Sequence, residues 1–502
     1  MPADKTFRLR GATSAAAHPP VSEVAITSAS SVTQGAARGA AVGELEMPAD
    51  AVVRVVLANG FVLWSRADDL LRERGRQATA RSGVDGTPVW EVSMGARPGM
   101  PTRGSARGRS GLDVKLMEVF GVDLKEKTAR GLAKTLEDRQ LKAGAPGLYH
   151  CPLALAEAAA PGPWLTPVAE GAVMPADAGP ILVFLHGTGS SCSGSFGKLW
   201  APRNRAGEAL RGKLLERYGE RVFALEHRTL TESPIANALA LARALPAGAE
   251  IHLVSHSRGG LVGELMCLGQ RDSASDPLQA PLLKDLFAAD RTVAEQLGLP
   301  ALGPDSASER DKAYEDDRKA LLELLTELDA KKFNIRRFVR VACPARGTTL
   351  ASGRLDRWLS VVDFLSGTGL FGECLDFLLA VVKERTDPRV LPGIEAMMPG
   401  SALTRLLQHP DLSVSADLSV IAGDIEGETL GGQLKLLAVD WFYGADHDLV
   451  VNTGSMFGGL RRSPGQSRFL RDVGADVNHF NYFTNEKSVK WLLAGLTRAE
   501  GS

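Results

Sequence analysis

The 502-residue chain predicts an α/β fold built on a mainly parallel central sheet, and three observations carry that reading. Short, continuous apolar runs recur from Pro180 onward and alternate with helical patterns, as expected of strands covered on both faces and joined by crossovers. Residues 251–266, IHLVSHSRGGLVGELM, read as a buried strand, a sharp corner and a helix. Two long intervals, 271–335 and 355–410, interrupt the alternation after strands and read as helical cap insertions.

Taken in order, residues 1–50 are rich in Ala, Ser, Thr and Gly without periodicity, which predicts a disordered N-terminal segment. Residues 51–150 read as a small β-rich and helical accessory region. VVRVVL and FVLW flank Asn59-Gly60, a hairpin signal, and a further strand at 89–94 follows the Asp85-Gly86 turn. Helical periodicity runs over 114–141 and stops at Gly144 and Pro146. Between them, 96–111 carries Arg97, Arg103, Arg107 and Arg109 in a Gly/Pro/Ser context, which reads as a solvated linker. No aromatic residue interleaves with those arginines, so stacking on single-stranded nucleic acid is disfavoured.

Residues 151–502 form the main domain, with strands expected at 181–185, 221–225, 250–254, 337–342 and 418–422. The charged stretch ERDKAYEDDRKALLELLTELDAKK predicts a helix with a solvated face inside the first insertion. Residues 361–382 are apolar but broken by Asp363, Glu373 and Asp376, so they fail as a membrane span while leaving peripheral lipid contact open.

Composition narrows the function. A formal net charge of -1 gives no whole-chain attraction to nucleic acid or anionic membrane. Five scattered cysteines, with no C-x-x-C pair, argue against a disulfide framework or a zinc site and for a reducing compartment. The first twenty residues lack the apolar core of a secretory signal, so the expected location is the cytoplasm.

The chemistry concentrates at the corner. Ser257 is flanked by the small residues Ser255, Gly259 and Gly260, which permit a strained backbone that lifts the hydroxyl clear of the sheet. The following helix turns its N–H end toward whatever the serine attacks. Upstream, the strand at 181–185 runs directly into His186-Gly187-Thr188-Gly189-Ser190-Ser191. A phosphate cradle fails there on spacing, because Cys192 stands where G-x-G-x-x-G needs its third glycine, and no cofactor is expected.

The corner resembles the nucleophile elbow, G-x-S-x-G, of the α/β-hydrolase superfamily. The likeness is to its lipase and esterase branch, with triacylglycerol lipases and lecithin:cholesterol acyltransferase-like or glycosylphosphatidylinositol inositol-deacylase-like enzymes. Ser255 departs from the pattern, standing where the first glycine is usual. The resemblance covers residue 181 to the C-terminus and implies an α/β-hydrolase fold with Ser257 as nucleophile. It implies that His186-Gly187 opens an oxyanion loop, with the backbone N–H groups of Thr188 and Arg258 forming the hole and His186 shaping the loop. The family order of Ser, then acid, then His leaves His409, His447 and His479 as bases. His479 lies after the last strand-like run, 468–473, and before the final helix, which is where the family carries its base. The acid implied by Asp446-His447-Asp448-Leu449-Val450 is Asp448, with Asp446 the alternative and Asp424 a third candidate. His256 is expected to point away from the nucleophile. Cys343-Pro344-Ala345-Arg346-Gly347-Thr348 and Met398-Pro399-Gly400-Ser401 resemble two further lipase segments.

The function expected is a serine hydrolase that cleaves carboxylic esters of lipid or other hydrophobic acyl substrates through a Ser-His-Asp triad. The rival is a non-catalytic or partner-gated module on the same scaffold, answering to a protein partner through the N-terminal region.

Overall fold

The computed structural model describes residues 6–15, 25–33, 43–48, 51–57, 62–67, 81–82, 88–91, 114–123, 126–141, 145–151, 165–168, 179–200, 204–272, 278, 280–287, 304–348, 391–425, 451, 453–474, 477, 479 and 481–498. They divide into two compact units, one running to Ala133 and the other beginning at Lys134.

The first unit is an eight-stranded sheet. Strands β1 (Thr6–Ala15), β2 (Ala25–Thr33), β3 (Gly43–Pro48), β4 (Val52–Leu57), β5 (Val62–Arg66), β6 (Arg81–Ser82), β7 (Pro88–Glu91) and β8 (Val114–Asp123) pair in the order β5-β4-β8-β2-β1-β7-β6, with β3 on β1. The hairpin expected around Asn59-Gly60 is present as β4 and β5, with Val56 opposite Val62. Two expectations are corrected. Residues 1–50, expected to be disordered, contribute three strands. Phe7 and Leu9 alternate with Arg8 and Arg10 along β1, a period-two signal masked by the Ala/Ser-rich surroundings. Residues 114–123, expected to be helical, form β8, which pairs with both β2 and β4. On β8, Glu118 is buried against Arg54 at 2.8 Å. The linker at 96–111 lies outside the described residues.

The second unit carries the mainly parallel sheet that the sequence predicts. Its strands are β9 (Gly147–His150), β10 (Thr166–Pro167), β11 (Ile181–Leu185), β12 (Val222–Glu226), β13 (Glu250–His256), β14 (Asn334–Val341), β16 (Leu418–Ile425) and β18 (Ser467–Gly474), ordered β10-β9-β12-β11-β13-β14-β16-β18. A separate short pair, β15 (Ser413–Val414) and β17 (Arg461–Arg462), stands beside it. Strands β12, β11, β13, β14, β16 and β18 are parallel to one another, while β9 runs antiparallel to both its neighbours, β12 and β10. Because β9 belongs to this sheet, the unit starts ahead of the expected boundary at residue 151.

The topology determines where a site can form. From central β11 the chain moves out to β12, then returns past β11 to β13 on its other side. Ligands of open α/β sheets bind beyond the carboxyl ends of strands at such a reversal. Here β11 and β13 are hydrogen-bonded neighbours, with Leu185 opposite Ser255, so the loop after β11 and the corner after β13 emerge side by side. All five residues of β11 and of β12 are buried, as befits strands covered on both faces.

The first insertion contains helices Ala280–Leu286 and Pro304–Lys331. The longer one lies along the helix Pro234–Ala244, where Lys331 Nζ donates to the carbonyls of Ala242, Arg243 and Leu245 and so caps that helix's C-terminal end. Of the second insertion, residues up to 390 lie outside the described set. Among the described residues no helix is long and apolar enough to cross a membrane. Cys151, Cys192, Cys267 and Cys343 are free and buried.

Candidate active site

Ser257 immediately follows β13 with φ of +51°, in the left-handed region that non-glycine residues rarely occupy. Such a conformation costs on the order of 1–3 kcal/mol and persists only where the surroundings over-determine it. They do so here. The Ser257 N–H donates to Val341 O at 2.9 Å, and its carbonyl accepts from the Gly260 N–H at 2.9 Å. The helix Gly259–Cys267 then starts at once and is buried along its whole length. Its close approach requires glycine at its start: a Cβ on Gly259 would lie 2.3 Å from Leu185 O and 2.6 Å from His186 O. Ser255, at the position where the family pattern has glycine, lies within the strand and is fully buried.

The loop after β11 packs directly on this serine. A Cβ placed on Gly187 would sit 2.8 Å from Ser257 Cβ and 3.5 Å from its Oγ, so only glycine lets the loop close on this serine. Next in the loop, Thr188 is buried and its hydroxyl donates to Met397 Sδ at 3.2 Å. The Arg258 side chain is fully buried, donating to Asn237 Oδ1 at 3.0 Å, Glu232 O at 2.6 Å and Gly393 O at 3.3 Å. Burial lowers its pKa to about 10, with Glu137, Glu232 and Asp317 opposing that shift. Thr188 and Arg258 both reach the segment 391–397, one from each side of the corner. The two further lipase-like segments meet there as well: Thr348 N–H donates to Met397 O at 2.8 Å, and Gly347, at φ +81°, leaves no room for a Cβ against Pro399.

His479 lies in the turn ahead of the final helix, Glu486–Thr497, and is 4% exposed. Its backbone carbonyl accepts a hydrogen bond from His256 Nε2 at 3.0 Å, and the two rings are 4.7 Å apart. A carbonyl can only accept, so His256 carries its proton on Nε2. Its Nδ1 then faces Ser195 Oγ at 3.4 Å, and the same hydroxyl accepts from the Gly187 N–H at 3.3 Å. His256 was expected only to point away from the nucleophile; it instead ties the loop of His479 to the loop of Gly187. Phe483 packs edge-on against His256 and Phe196, and Asn204 Nδ2 holds the Phe483 carbonyl at 2.7 Å. Asp448, its alternative Asp446 and the intervening His447 lie outside the described residues. Asp424, the third acid considered, is buried at the end of β16 and paired with Arg471.

Beneath the loop after β11 lies a cluster that sequence reasoning missed. His186, Cys192 and Glu226 are fully buried with ligand-type atoms within 4.8 Å of one another. Their hydrogen bonds do not suit a cation. His186 Nδ1 lies 3.0 Å from Gly187 O and so bears the proton, and its other nitrogen accepts from the His227 N–H at 3.2 Å. Cys192 Sγ donates to Leu225 O at 3.3 Å, and burial pushes the thiol well above its ordinary pKa. Glu226 Oε1 accepts from the Cys192 N–H at 3.0 Å, while Oε2 lies 3.5 Å from His186 Nε2. Desolvation raises the Glu226 carboxyl to about 7 and lowers His186 to about 3, so burial disfavours the charged form of each. The His227 ring stacks on His186 at 3.9 Å. The layer is joined to the loop by the contact of His186 Nδ1 with Gly187 O.

The model of the family described as Domain of unknown function (DUF7379) matches residues 152–279 and 318–497, more than half of the chain. The chain belongs to this family. No curated protein matches it. Among solved structures, the mature form of Bacillus licheniformis lipase BlEst2 is 16% identical over 65% of this chain and 92% of that one, with a TM-score of 0.31. Lipase 1 from Pelosinus fermentans is 13% identical over 64% of this chain and 99% of its own, with a TM-score of 0.36. Staphylococcus hyicus lipase is 13% identical over 64% and 92%, with a TM-score of 0.33. Overlaps this loose leave the chemistry of the DUF7379 chain to its own geometry. That geometry is a mainly parallel α/β sheet with a strained serine at the strand-to-helix corner after β13.

Proposed function

We propose that this DUF7379 chain is a serine hydrolase that cleaves carboxylic esters, with lipid or other hydrophobic acyl compounds as substrates. The observation that carries the reading is the left-handed Ser257 with Gly187 closed onto its Cβ, which sets a hydroxyl beside a glycine-rich loop. His479, oriented by Asp448 or Asp446, takes the Ser257 proton as Oγ attacks the acyl carbon. The backbone N–H groups of Thr188 and Arg258 hold the resulting oxyanion. The protonated His479 gives its proton to the departing alcohol, leaving an acyl-enzyme. Water, deprotonated by His479, then releases the acid and restores Ser257. No cofactor enters. The apolar side chains of Phe196, Met397 and Phe483 around the corner support a hydrophobic acyl group, and the unpaired cysteines support action in a reducing compartment, the cytoplasm.

A fluorophosphonate probe should label the wild type and leave Ser257→Ala unlabelled, with loss of p-nitrophenyl ester hydrolysis in the same variant. Equal labelling of the two would reject Ser257 as nucleophile.

A further inference from the structure

Gly189 follows Thr188 in the oxyanion loop, and both of its backbone polar groups are committed to side chains. Its N–H donates to Thr229 Oγ1 at 3.0 Å, and its carbonyl accepts from Gln140 Nε2. Thr229 is itself held from the helix Glu126–Gln140. Glu137 Oε1 accepts the N–H groups of Thr229 at 2.6 Å and Leu230 at 2.5 Å, while Oε2 accepts the Thr231 N–H at 3.3 Å and its hydroxyl at 2.6 Å. One carboxylate, 2% exposed, thus gathers four donors from three consecutive residues. On the outside of the same turn, Arg228 pairs with Asp138 at 2.5 Å.

We propose that Glu137 and Gln140 are positioning residues for the oxyanion loop, fixing Gly189 through its N–H and its C=O so that the neighbouring Thr188 N–H is aimed before substrate arrives. The inference rests on the hydrolase reading above. The peptide plane between Thr188 and Gly189 contains the Gly189 N–H, so holding that N–H limits rotation about the Thr188 backbone. The Gln140 bond holds the next plane. Gly189 itself has φ of +55°, where glycine has no steric preference of its own to keep the turn in place. Rigidity must come from outside the loop, and these two side chains deliver it. An oxyanion donor acts by being in place before charge develops, and a displacement of about 1 Å at such a group costs on the order of 100-fold in rate.

The test uses the full chain and two variants, Gln140→Leu and Glu137→Gln. The expected result is a fall in kcat of about 10- to 100-fold on a p-nitrophenyl ester, with KM changed by no more than about twofold. Affinity for a boronic acid, which forms a tetrahedral adduct with the serine, should fall in parallel with kcat/KM, while circular dichroism stays near wild type in both variants and melting stays near wild type in Gln140→Leu. A merely structural role would lower melting or the active fraction and leave boronate affinity per active site unchanged, and that pattern overturns the proposal. So does unchanged kcat. If Glu137→Gln fails to fold, Gln140→Leu decides alone, since that side chain is only part-buried. Wild type that resists the fluorophosphonate overturns the hydrolase reading and this inference with it; labelled wild type with unaltered variants overturns this inference only.

Discussion

His256 Nε2 donates to the backbone carbonyl of His479 at 3.0 Å, so the last residue of β13 holds the main chain of the loop that carries the proposed base. Ser257 and the main chain of His479 are therefore referenced to the same strand end, although 222 positions separate the two residues in the sequence.

Removing that donor should cost turnover rather than folding. His256→Ala is expected to lower kcat by about 10- to 100-fold through misplacement of the base. His256→Gln, which keeps an N–H donor, should recover part of the loss. Steady-state kinetics with the three proteins decide the matter, and an unaltered kcat in His256→Ala would mean that the loop is held elsewhere.

The contact of the elbow helix with β11 is backbone against backbone, so it cannot yield to a new side chain. Gly259→Ala would place a Cβ 2.3 Å from Leu185 O. Overpacking of this kind costs about 1–3 kcal/mol, and more where backbone must move. The urea midpoint should drop accordingly. Gly212→Ala is the control: it lies in the helix Arg205–Tyr218 with nothing within 4 Å of the added methyl, and it should gain about 0.5–1 kcal/mol.

A pH signature follows from Glu226. Its folded carboxyl, raised to about 7 from 4.5 by burial, binds a proton that the unfolded chain has already lost between those values. The folded state then holds more protons, so this group's contribution to stability falls as pH rises from about 4.5 to about 7 and is flat above. Neutral His186 and His227 act in the opposite sense, losing stability as pH drops below 6.5, but they are common to wild type and variant. Comparing Glu226→Gln with wild type isolates the acid. The difference in unfolding free energy should move in favour of glutamine across that window, by on the order of 1–3 kcal/mol, and then level off. A difference independent of pH would show that Glu226 is ionised in the folded chain.

Glu264, fully buried on the elbow helix, pairs with Arg340 and with Arg462 at 3.1 Å and accepts the Leu460 N–H at 3.2 Å. Arg340 also holds the carbonyls of Met456 at 2.9 Å and Gly458 at 2.6 Å. Glu264→Ala leaves two buried guanidinium groups uncompensated, which costs about 3–5 kcal/mol. Hydrogen exchange over residues 456–462 should accelerate more than exchange in β11, because the lost acceptor serves that segment directly.

Much of this arrangement was legible in the sequence where the signal is local. The parallel strands of the main sheet announce themselves as apolar runs, and each lies within three residues of its expected bounds, whereas β9 and β10 carry no such run. The strained corner at Ser257 was legible because its small neighbours lie beside it in the chain, and so was the place of His479 between the last strand and the final helix. What escaped depends on partners far away. Strand β1 hides Phe7 and Leu9 in an Ala/Ser-rich context. Strand β8 has apolar residues at 114, 116, 117, 119, 120 and 122, a set that fits either period, and its pairing with β2 and β4 selects the strand. Glu137, Gln140, Ser195 and Glu226 look like ordinary polar residues. Their roles exist only through hydrogen bonds to Gly187, Gly189, Cys192 and the turn at 229–231, which sequence spacing does not reveal.

The buried thiols have a practical consequence. Cys267 and Cys343 are pushed up to about 12 by desolvation, and Cys151 and Cys192 are raised as well, so none presents a thiolate to an alkylating reagent while the sheet stays closed. Cys343 also sits against Gly260, where a Cβ would come within 2.5 Å of its sulfur, so an alkylated chain could not re-form that contact. Iodoacetamide uptake at Cys343 should therefore act as a one-way clock on transient opening of the domain centre, read by mass spectrometry without any added reporter.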